Sequence, residues 1–121
     1  MKDIVNASAQ GGRNEEAGIG PMSDYGFIGK RVIVRGDRSG VFFGTLRERN
    51  GREAVLADCR RLWYWDGAAS ISQLAVDGAA KPDDCKFTVV VDLISILDAI
   101  EIIPCTPKAI ESIEGVPVWK L

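Results

Sequence analysis

The chain has 121 residues, of which 46% are hydrophobic, so it is long enough to fold around one core and too short for two ordinary domains. Its formal net charge of -2 argues against a simple nucleic-acid-binding domain, because most such domains are net basic. No apolar run reaches the length of a membrane span and the N-terminus lacks a basic segment followed by an apolar one, so we expect a cytosolic protein.

The charges are segregated along the chain. Residues 30–65 carry nine basic and four acidic groups, whereas residues 66–121 carry four basic and nine acidic ones. Arginine is suited to forked contacts with phosphate, so the middle segment is a candidate for an anionic partner. The alternative is that its arginines pair with the acidic C-terminal half. Eight of the nine arginines lie in this segment, namely Arg31, Arg35, Arg38, Arg47, Arg49, Arg52, Arg60 and Arg61.

The first 29 residues are predicted to form a flexible or extended N-terminal arm. Residues 1–24 are rich in Gly, Ser, Asn, Glu and Ala and lack a sustained apolar period. Such a segment cannot bury enough surface to offset the entropy of ordering, although it can still order on a neighbouring subunit. Residues 30–121 are predicted to form a single domain.

Short apolar runs separated by turn residues follow, which is the pattern of an antiparallel sheet. Strands are expected at 31–35 and 41–46, joined by a tight turn at 36–40 that has glycine at both ends. The first two strands therefore form a hairpin.

A second turn is predicted at Asn50-Gly51, because both residues tolerate positive φ. A third strand at 52–57 then pairs back, and a fourth is predicted at 60–65. Side-chain alternation along the fourth strand assigns its residues to two faces. Arg61, Trp63 and Trp65 lie on one face, and Leu62 and Tyr64 lie on the other, in the core.

The C-terminal half adds helices to the sheet. Ser70 is a candidate N-cap for a short helix that ends at Gly78. Two β-rich runs follow at 86–91 and 94–103, and the second can also begin with a helical turn. Thr106 and Pro107 are typical of a helix start, so a last helix is predicted from there to about residue 115. The fold class is therefore α+β, a small β-rich antiparallel sheet or partial barrel with a short middle helix and a C-terminal helix.

Catalytic and metal sites find little support. The cysteines Cys59, Cys85 and Cys105 are far apart, no CxxC pair occurs, and the chain has no histidine, so no zinc site is expected. The cysteines are predicted to be buried, reduced thiols. Without histidine, a nucleophile elbow or clustered carboxylates, we expect no enzyme activity and no cofactor.

The stretch from Arg60 to Asp66 combines the groups that a nucleotide ligand needs. Trp63 and Trp65 can stack a base, Arg61 can bind phosphate from the same strand face, and Asp66 can accept from a ribose hydroxyl. Arg60 is a further ligand-binding candidate. Against this, aromatic residues in strands pack more often in the core than against a ligand. Both interpretations of the tryptophans stay open.

Further ligand candidates lie in the first hairpin and the later β run. Arg35, Arg38 and Ser39 surround a glycine-flanked tip where backbone amides can approach an anion. Phe87, beside a lysine, can close the other side of a base, although core burial is the more common role. Trp119 is interpreted as either a docking plug or a subunit contact.

The chain resembles a family of small phage and prophage proteins between about Arg31 and Trp119. The most specific block is RRLWYWDGA at 60–68, and weaker matches include AIEIIPCT at 99–106. The resemblance implies a phage origin and hence the host cytoplasm. More distantly, the chain is similar to the Thoeris anti-defence proteins, phage sponges that oligomerise and sequester cyclic ADP-ribose-type and cyclic-oligonucleotide signals.

The resemblance and the residues together favour sequestration of a small anionic (cyclic) nucleotide by a homo-oligomer, without turnover. Two alternatives stay open. The arginine-tryptophan face can bind a host defence protein, since both residue types are common at interface hot spots. It can also bind single-stranded nucleic acid, with arginines along the backbone and tryptophans stacked on bases.

Overall fold

The computed structural model of the chain describes residues 26–121, which form six strands and two α-helices. The predicted α+β class, with one middle and one C-terminal helix, is confirmed. Most of the predicted N-terminal arm, residues 1–25, lies outside the described residues. The strands are β1 (Arg31–Gly36), β2 (Val41–Asn50), β3 (Glu53–Tyr64), β4 (Lys86–Phe87), β5 (Val91–Ile96) and β6 (Ala99–Pro104), and the helices are α1 (Ile71–Asp77) and α2 (Pro107–Glu114).

The strands form one antiparallel sheet that curls without closing. Its order is β4-β3-β2-β1-β6, and β5 pairs with the first half of β3. Because Ile96 and Ala99 are only three residues apart, the ends of β5 and β6 lie within about 11 Å of each other. Across a flat sheet the same two strands would be four spacings, or about 19 Å, apart. The sheet therefore curls into a partial barrel.

A bulge bends β2 and β3 at the same level. Phe43 pairs with Arg60 whereas Thr45 pairs with Ala57, so β3 has one extra residue there. Asp58 takes up a φ of 49°, which is uncommon for a residue other than glycine. The sequence predicts two strands, at 52–57 and 60–65, but the structure has one bulged strand instead.

The curled sheet separates two cores, and β1 shows why. Val32 and Val34 face the inner core on the concave side, whereas Ile33 between them faces the helix-side core beneath α1 and α2. The inner core also contains Phe42, Leu46, Leu56, Cys59 and Ile96. The helix-side core also contains Phe43, Leu62, Leu74, Phe87, Ile113 and Val116.

Both helices begin at the predicted caps. The Ser70 hydroxyl accepts from the backbone N of Gln73 at 3.1 Å, and the Thr106 hydroxyl accepts from the backbone N of Ala109 at 3.1 Å. Gly78 follows α1 as predicted. With seven and eight residues, neither helix of the described segment has the length to cross a membrane.

Residues 26–29, which the sequence assigns to the arm, contact the domain. Phe27 packs against the inner core, and the backbone N of Gly29 donates to the carbonyl of Leu46 at 2.7 Å. The cysteines are free thiols, as predicted, although Cys105 is only partly buried. Burial raises the pKa of Cys59 to about 12 and that of Cys105 to about 11, so neither is a reactive thiolate near neutral pH.

Candidate functional site

Two of the predicted ligand residues lie inside the protein. Phe87 is fully buried in the helix-side core, so it is not available as a wall for a base. Arg60 is only 3% exposed and its guanidinium lies 5.5 Å from the centroid of the Phe87 ring. Both side chains serve the fold, and neither reaches a surface ligand.

The buried Arg60 guanidinium is held by backbone carbonyls of three chain segments. It donates to Thr88 at 3.0 Å, to Phe87 at 3.1 Å, and to Ile113 and Val116 at 3.0 Å each. Burial lowers the pKa of Arg60, but guanidinium remains protonated in proteins. Arg60 is therefore a structural cation that joins β4 to the end of α2, rather than the ligand-binding residue predicted from the sequence.

Arg61 points the other way, to the tip of the first hairpin. One nitrogen donates to the carbonyl of Ser39, and the guanidinium carbon lies 4.5 Å from the centroid of the Phe42 ring. Arg61 is partly exposed, and only one of the five N–H donors of a guanidinium is directed at Ser39. The side chain thus retains capacity for an external anion.

The amides at the hairpin tip already hold an anion, which is the carboxylate of Asp98. That carboxylate accepts from the backbone N of Arg38 at 2.8 Å, from the backbone N of Ser39 at 3.0 Å and from the Ser39 hydroxyl. The hydrogen bond from the Ser39 side chain is the largest cause that lowers the pKa of Asp98, followed by that from the Arg38 amide. The predicted anion site at the tip is therefore filled from within the chain.

Two arginines of the basic segment pair with the acidic C-terminal half, which was the alternative to ligand binding. Arg35 forms an ion pair with Glu101 at 2.9 Å, and Arg31 forms one with Glu114 at 3.0 Å. Arg38 differs, since its side chain is exposed at the hairpin tip. Of the predicted cations near the tip, Arg38 and Arg61 are thus the better placed for an external ligand.

An exposed aromatic pair lies at the C-terminal end of β3. Trp63 is 65% exposed and Trp119 is 45% exposed, and their rings stack with centroids 6.2 Å apart and planes 17° apart. The ammonium group of Lys86 lies 5.6 Å from the centroid of a Trp119 ring, which is a cation–π distance. We call these three residues the indole surface.

Two features of the backbone position the residues of the indole surface. The pairing of β3 with β4 shifts register between Leu62 and Tyr64, at the position of Trp63. The C-terminal tail then runs along β4, where the backbone N of Trp119 donates to the carbonyl of Phe87 at 2.8 Å. Trp119 thus joins Trp63 across 56 positions of sequence, and no local pattern indicates that contact.

The remaining predicted residues lie apart from the indole surface. Trp65 packs against the helix-side core. It therefore does not share a ligand face with Trp63, contrary to the prediction from side-chain alternation. The Asp66 carboxylate accepts from the backbone N of Gly67 at 2.7 Å, within its own turn. Tyr64, predicted to be in the core, is half exposed.

An open cleft of about 530 Å³ lies between α1 and α2, and none of the predicted ligand residues lines it. Several polar side chains of its lining are already paired. Lys108 forms an ion pair with Asp77 at 3.6 Å, and the Ser112 hydroxyl accepts from the backbone N of Ala79 at 3.0 Å. Within residues 26–121, no three metal-ligating side chains form a cluster. The indole surface is therefore the strongest candidate site.

Comparison with known protein families identifies the family of this chain. The model of the domain of unknown function DUF6948 matches residues 29–113. No curated protein matches the chain. The matched range includes Trp63 and Lys86, whereas Trp119 lies beyond it.

Proposed function

Because the chain belongs to the DUF6948 family, a domain of unknown function, we propose its activity from the site alone: it binds a small anionic nucleotide on the indole surface. The stacked pair of Trp63 and Trp119 supports this proposal, since an exposed indole offers a base a flat apolar partner. The bound state itself is the function, and no turnover is involved.

The cations near the indoles give the ligand its charge preference. Lys86 contacts the ring of Trp119. Arg61 lies two residues before Trp63 on β3, and only one of its guanidinium N–H groups is directed at Ser39. A base on the indoles would thus carry its phosphate towards positively charged groups, which bind phosphate by charge-assisted hydrogen bonds. More than half of the acidic groups, nine of 17, lie in residues 66–121.

The likeness to phage proteins suggests the biological setting of this binding. Under the proposal, the protein acts in the cytoplasm of a bacterial host and sequesters a cyclic nucleotide that serves as an immune signal. Sequestration requires tight binding and no chemistry, which suits a surface of aromatic and basic side chains without a nucleophile or base.

A calorimetric screen with matched variants tests the proposal. The ligands are cyclic ADP-ribose isomers, cyclic di- and trinucleotides, ordinary nucleotides and a short single-stranded oligonucleotide. We expect one cyclic nucleotide class to bind, and Trp63→Ala to weaken that binding about 5- to 150-fold, because a stacked base contributes about 1–3 kcal/mol. The control is Val76→Ala on α1, which removes a side chain that is also exposed and apolar.

The other outcomes of the screen separate the alternatives. Equal binding by wild type and Trp63→Ala would show that the ligand lies elsewhere. Steeply salt-dependent binding of the oligonucleotide alone would favour the single-stranded nucleic-acid reading. If no ligand binds, the proposal fails, and the exposed indoles are better explained as a contact for a host protein, since tryptophan is common at interface hot spots.

A further inference from the structure

The three outer edges of the curled sheet differ in how they are protected. The edge of β4 is covered by the C-terminal tail, where Val118 forms a parallel bridge with Phe87. The edge strand β6 ends in Pro104, and its Glu101 carries a charge that pairs with Arg35. Proline and charge are two of the devices by which proteins discourage pairing at an edge.

The edge of β5 has weaker protection. Within the described residues β5 pairs only with β3, and among its six side chains Asp92 alone is charged. An exposed edge with apolar side chains is a template for a further strand. The exposed large apolar side chains on and beside β5 are Val89, Val90, Val91, Leu93 and Leu97.

We propose that this edge is a dimer interface, in which β5 of one copy pairs antiparallel with β5 of a second copy. The two partial barrels then share one continuous sheet. The inference goes beyond the proposed function, because it depends only on β5 and not on what the indole surface binds.

Symmetry and charge select the register of the pair. A two-fold axis perpendicular to the sheet keeps each side chain on its own face. The axis then lies midway between the two copies of one residue, which are directly opposite each other. With the axis at Asp92, two carboxylates face each other, which is unfavourable. With the axis at Ile94, the partly buried Ile94 pairs with itself, and Leu93 faces a serine.

The axis at Leu93 avoids both disadvantages. The two Leu93 side chains, each 63% exposed in the single chain, then contact each other, and Asp92 lies opposite Ile94 of the second copy. Val91 lies opposite Ser95, so no like charges meet. This register buries the most exposed apolar side chain of the strand and leaves the inward-facing Ile96 in its own core.

Analytical ultracentrifugation of the full chain over a range of concentrations tests the dimer. We expect the wild type to dimerise, and Leu93→Lys to raise the dimer dissociation constant at least about tenfold, since two ammonium groups would meet on the axis. The control is Val76→Lys, which places the same charge on α1 at a residue that is 54% exposed. This control should dimerise like the wild type.

Cross-linking gives a second test that does not depend on the charged variant. Opposite residues in an antiparallel pair have Cβ atoms about 4.5–5.5 Å apart, so Leu93→Cys should form an intermolecular disulfide under mild oxidation. Val76→Cys should not form one. The native cysteines contribute little background, because two are buried and the third is partly buried.

Three results would overturn the inference. A wild-type chain that stays monomeric at the highest soluble concentration has no such interface. A Leu93→Lys dimer as tight as the wild type places the interface elsewhere. Finally, a monomer in which the β5 amides that point away from β3 resist hydrogen exchange would mean that another segment of the same chain covers the edge.

Discussion

The tip of the β1–β2 hairpin and the C-terminal end of β3 are neighbours in the sheet, since Phe42 pairs with Arg61. At the tip, the backbone amides of Arg38 and Ser39 are satisfied within the chain, because the Asp98 carboxylate accepts from both. At the end of β3, the indole of Trp63 remains largely exposed to solvent. Buried or paired polar groups stabilise a fold, whereas exposed aromatic surface is available for binding.

The difference extends to the two adjacent arginines between these regions. Arg60 is committed to four carbonyls in the helix-side core, whereas Arg61 is partly exposed and contacts the tip. One position along a strand reverses the side of the sheet, so neighbouring residues of the same type have unrelated tasks. The contacts of Arg60 and of the tip therefore stabilise the fold, whereas Trp63 is the residue that we propose for ligand binding.

The largest effect is expected from Arg60→Met. The methionine fills part of the space but removes four hydrogen bonds from the buried guanidinium to backbone carbonyls, so we expect a loss of more than about 3 kcal/mol of unfolding free energy, or no folding. Urea denaturation measures this loss. Arg61→Met is the matched control and should cost less than about 1 kcal/mol; similar losses for both would mean that Arg60 is not the structural cation.

Ligand affinity should distinguish the two regions next. Arg38→Ala at the tip is expected to weaken nucleotide binding less than about threefold, because it removes an exposed charge and no stacking surface. Trp63→Ala should weaken it by the larger factor given above, without lowering the unfolding free energy by more than about 0.5 kcal/mol. Calorimetry measures the affinity of both variants, and thermal unfolding measures their stability. A larger loss of affinity in Arg38→Ala than in Trp63→Ala would place the ligand at the tip.

The stabilising role of Asp98 should depend on pH. Hydrogen bonds from Ser39 and Arg38 lower the pKa of Asp98 in the folded chain, so its contribution is present above the ordinary value of 3.8 and is lost as the pH falls through the lowered pKa. Asp98→Asn should therefore melt below the wild type at pH 7, and the two curves should converge in strong acid. A constant difference at every pH would contradict this role.

The smallest effect is spectroscopic. Two indoles stacked at 6.2 Å should couple and give a paired positive and negative band in the far-ultraviolet circular dichroism spectrum. Trp63→Phe and Trp119→Phe should each abolish the pair of bands, whereas Trp65→Phe should leave it. Loss of the bands in the Trp65 variant would place the coupled pair elsewhere.

Local chemistry was sufficient to predict much of the fold. Ser70 and Thr106 are cap residues followed by apolar positions at helical spacing, and Asn50-Gly51 marks its turn directly. The bulge at Asp58 was missed because its positive φ occurs at a residue that usually avoids it. The turn between β5 and β6 was missed because Leu97 and Asp98 interrupt the apolar run without glycine or proline.

The candidate site was predictable only in part. Trp63 stands out in sequence, but its partner Trp119 arrives through the tail, and the Asp98 carboxylate reaches the tip from about 60 positions away. Such contacts depend on the whole topology. Alternation grouped Trp63 with Trp65, but a shift of register between Leu62 and Tyr64 separates them.

The carbonyls bound by Arg60 have a consequence for how the protein opens. A single guanidinium collects acceptors from Phe87 and Thr88 next to β3, from Ile113 in α2, and from Val116 after it. None of these segments can detach without removing carbonyl acceptors from the buried Arg60 guanidinium. They should therefore open together as one cooperative unit. Transient release of the tail, which would separate the two indoles, is thereby tied to the rare openings of the helical layer.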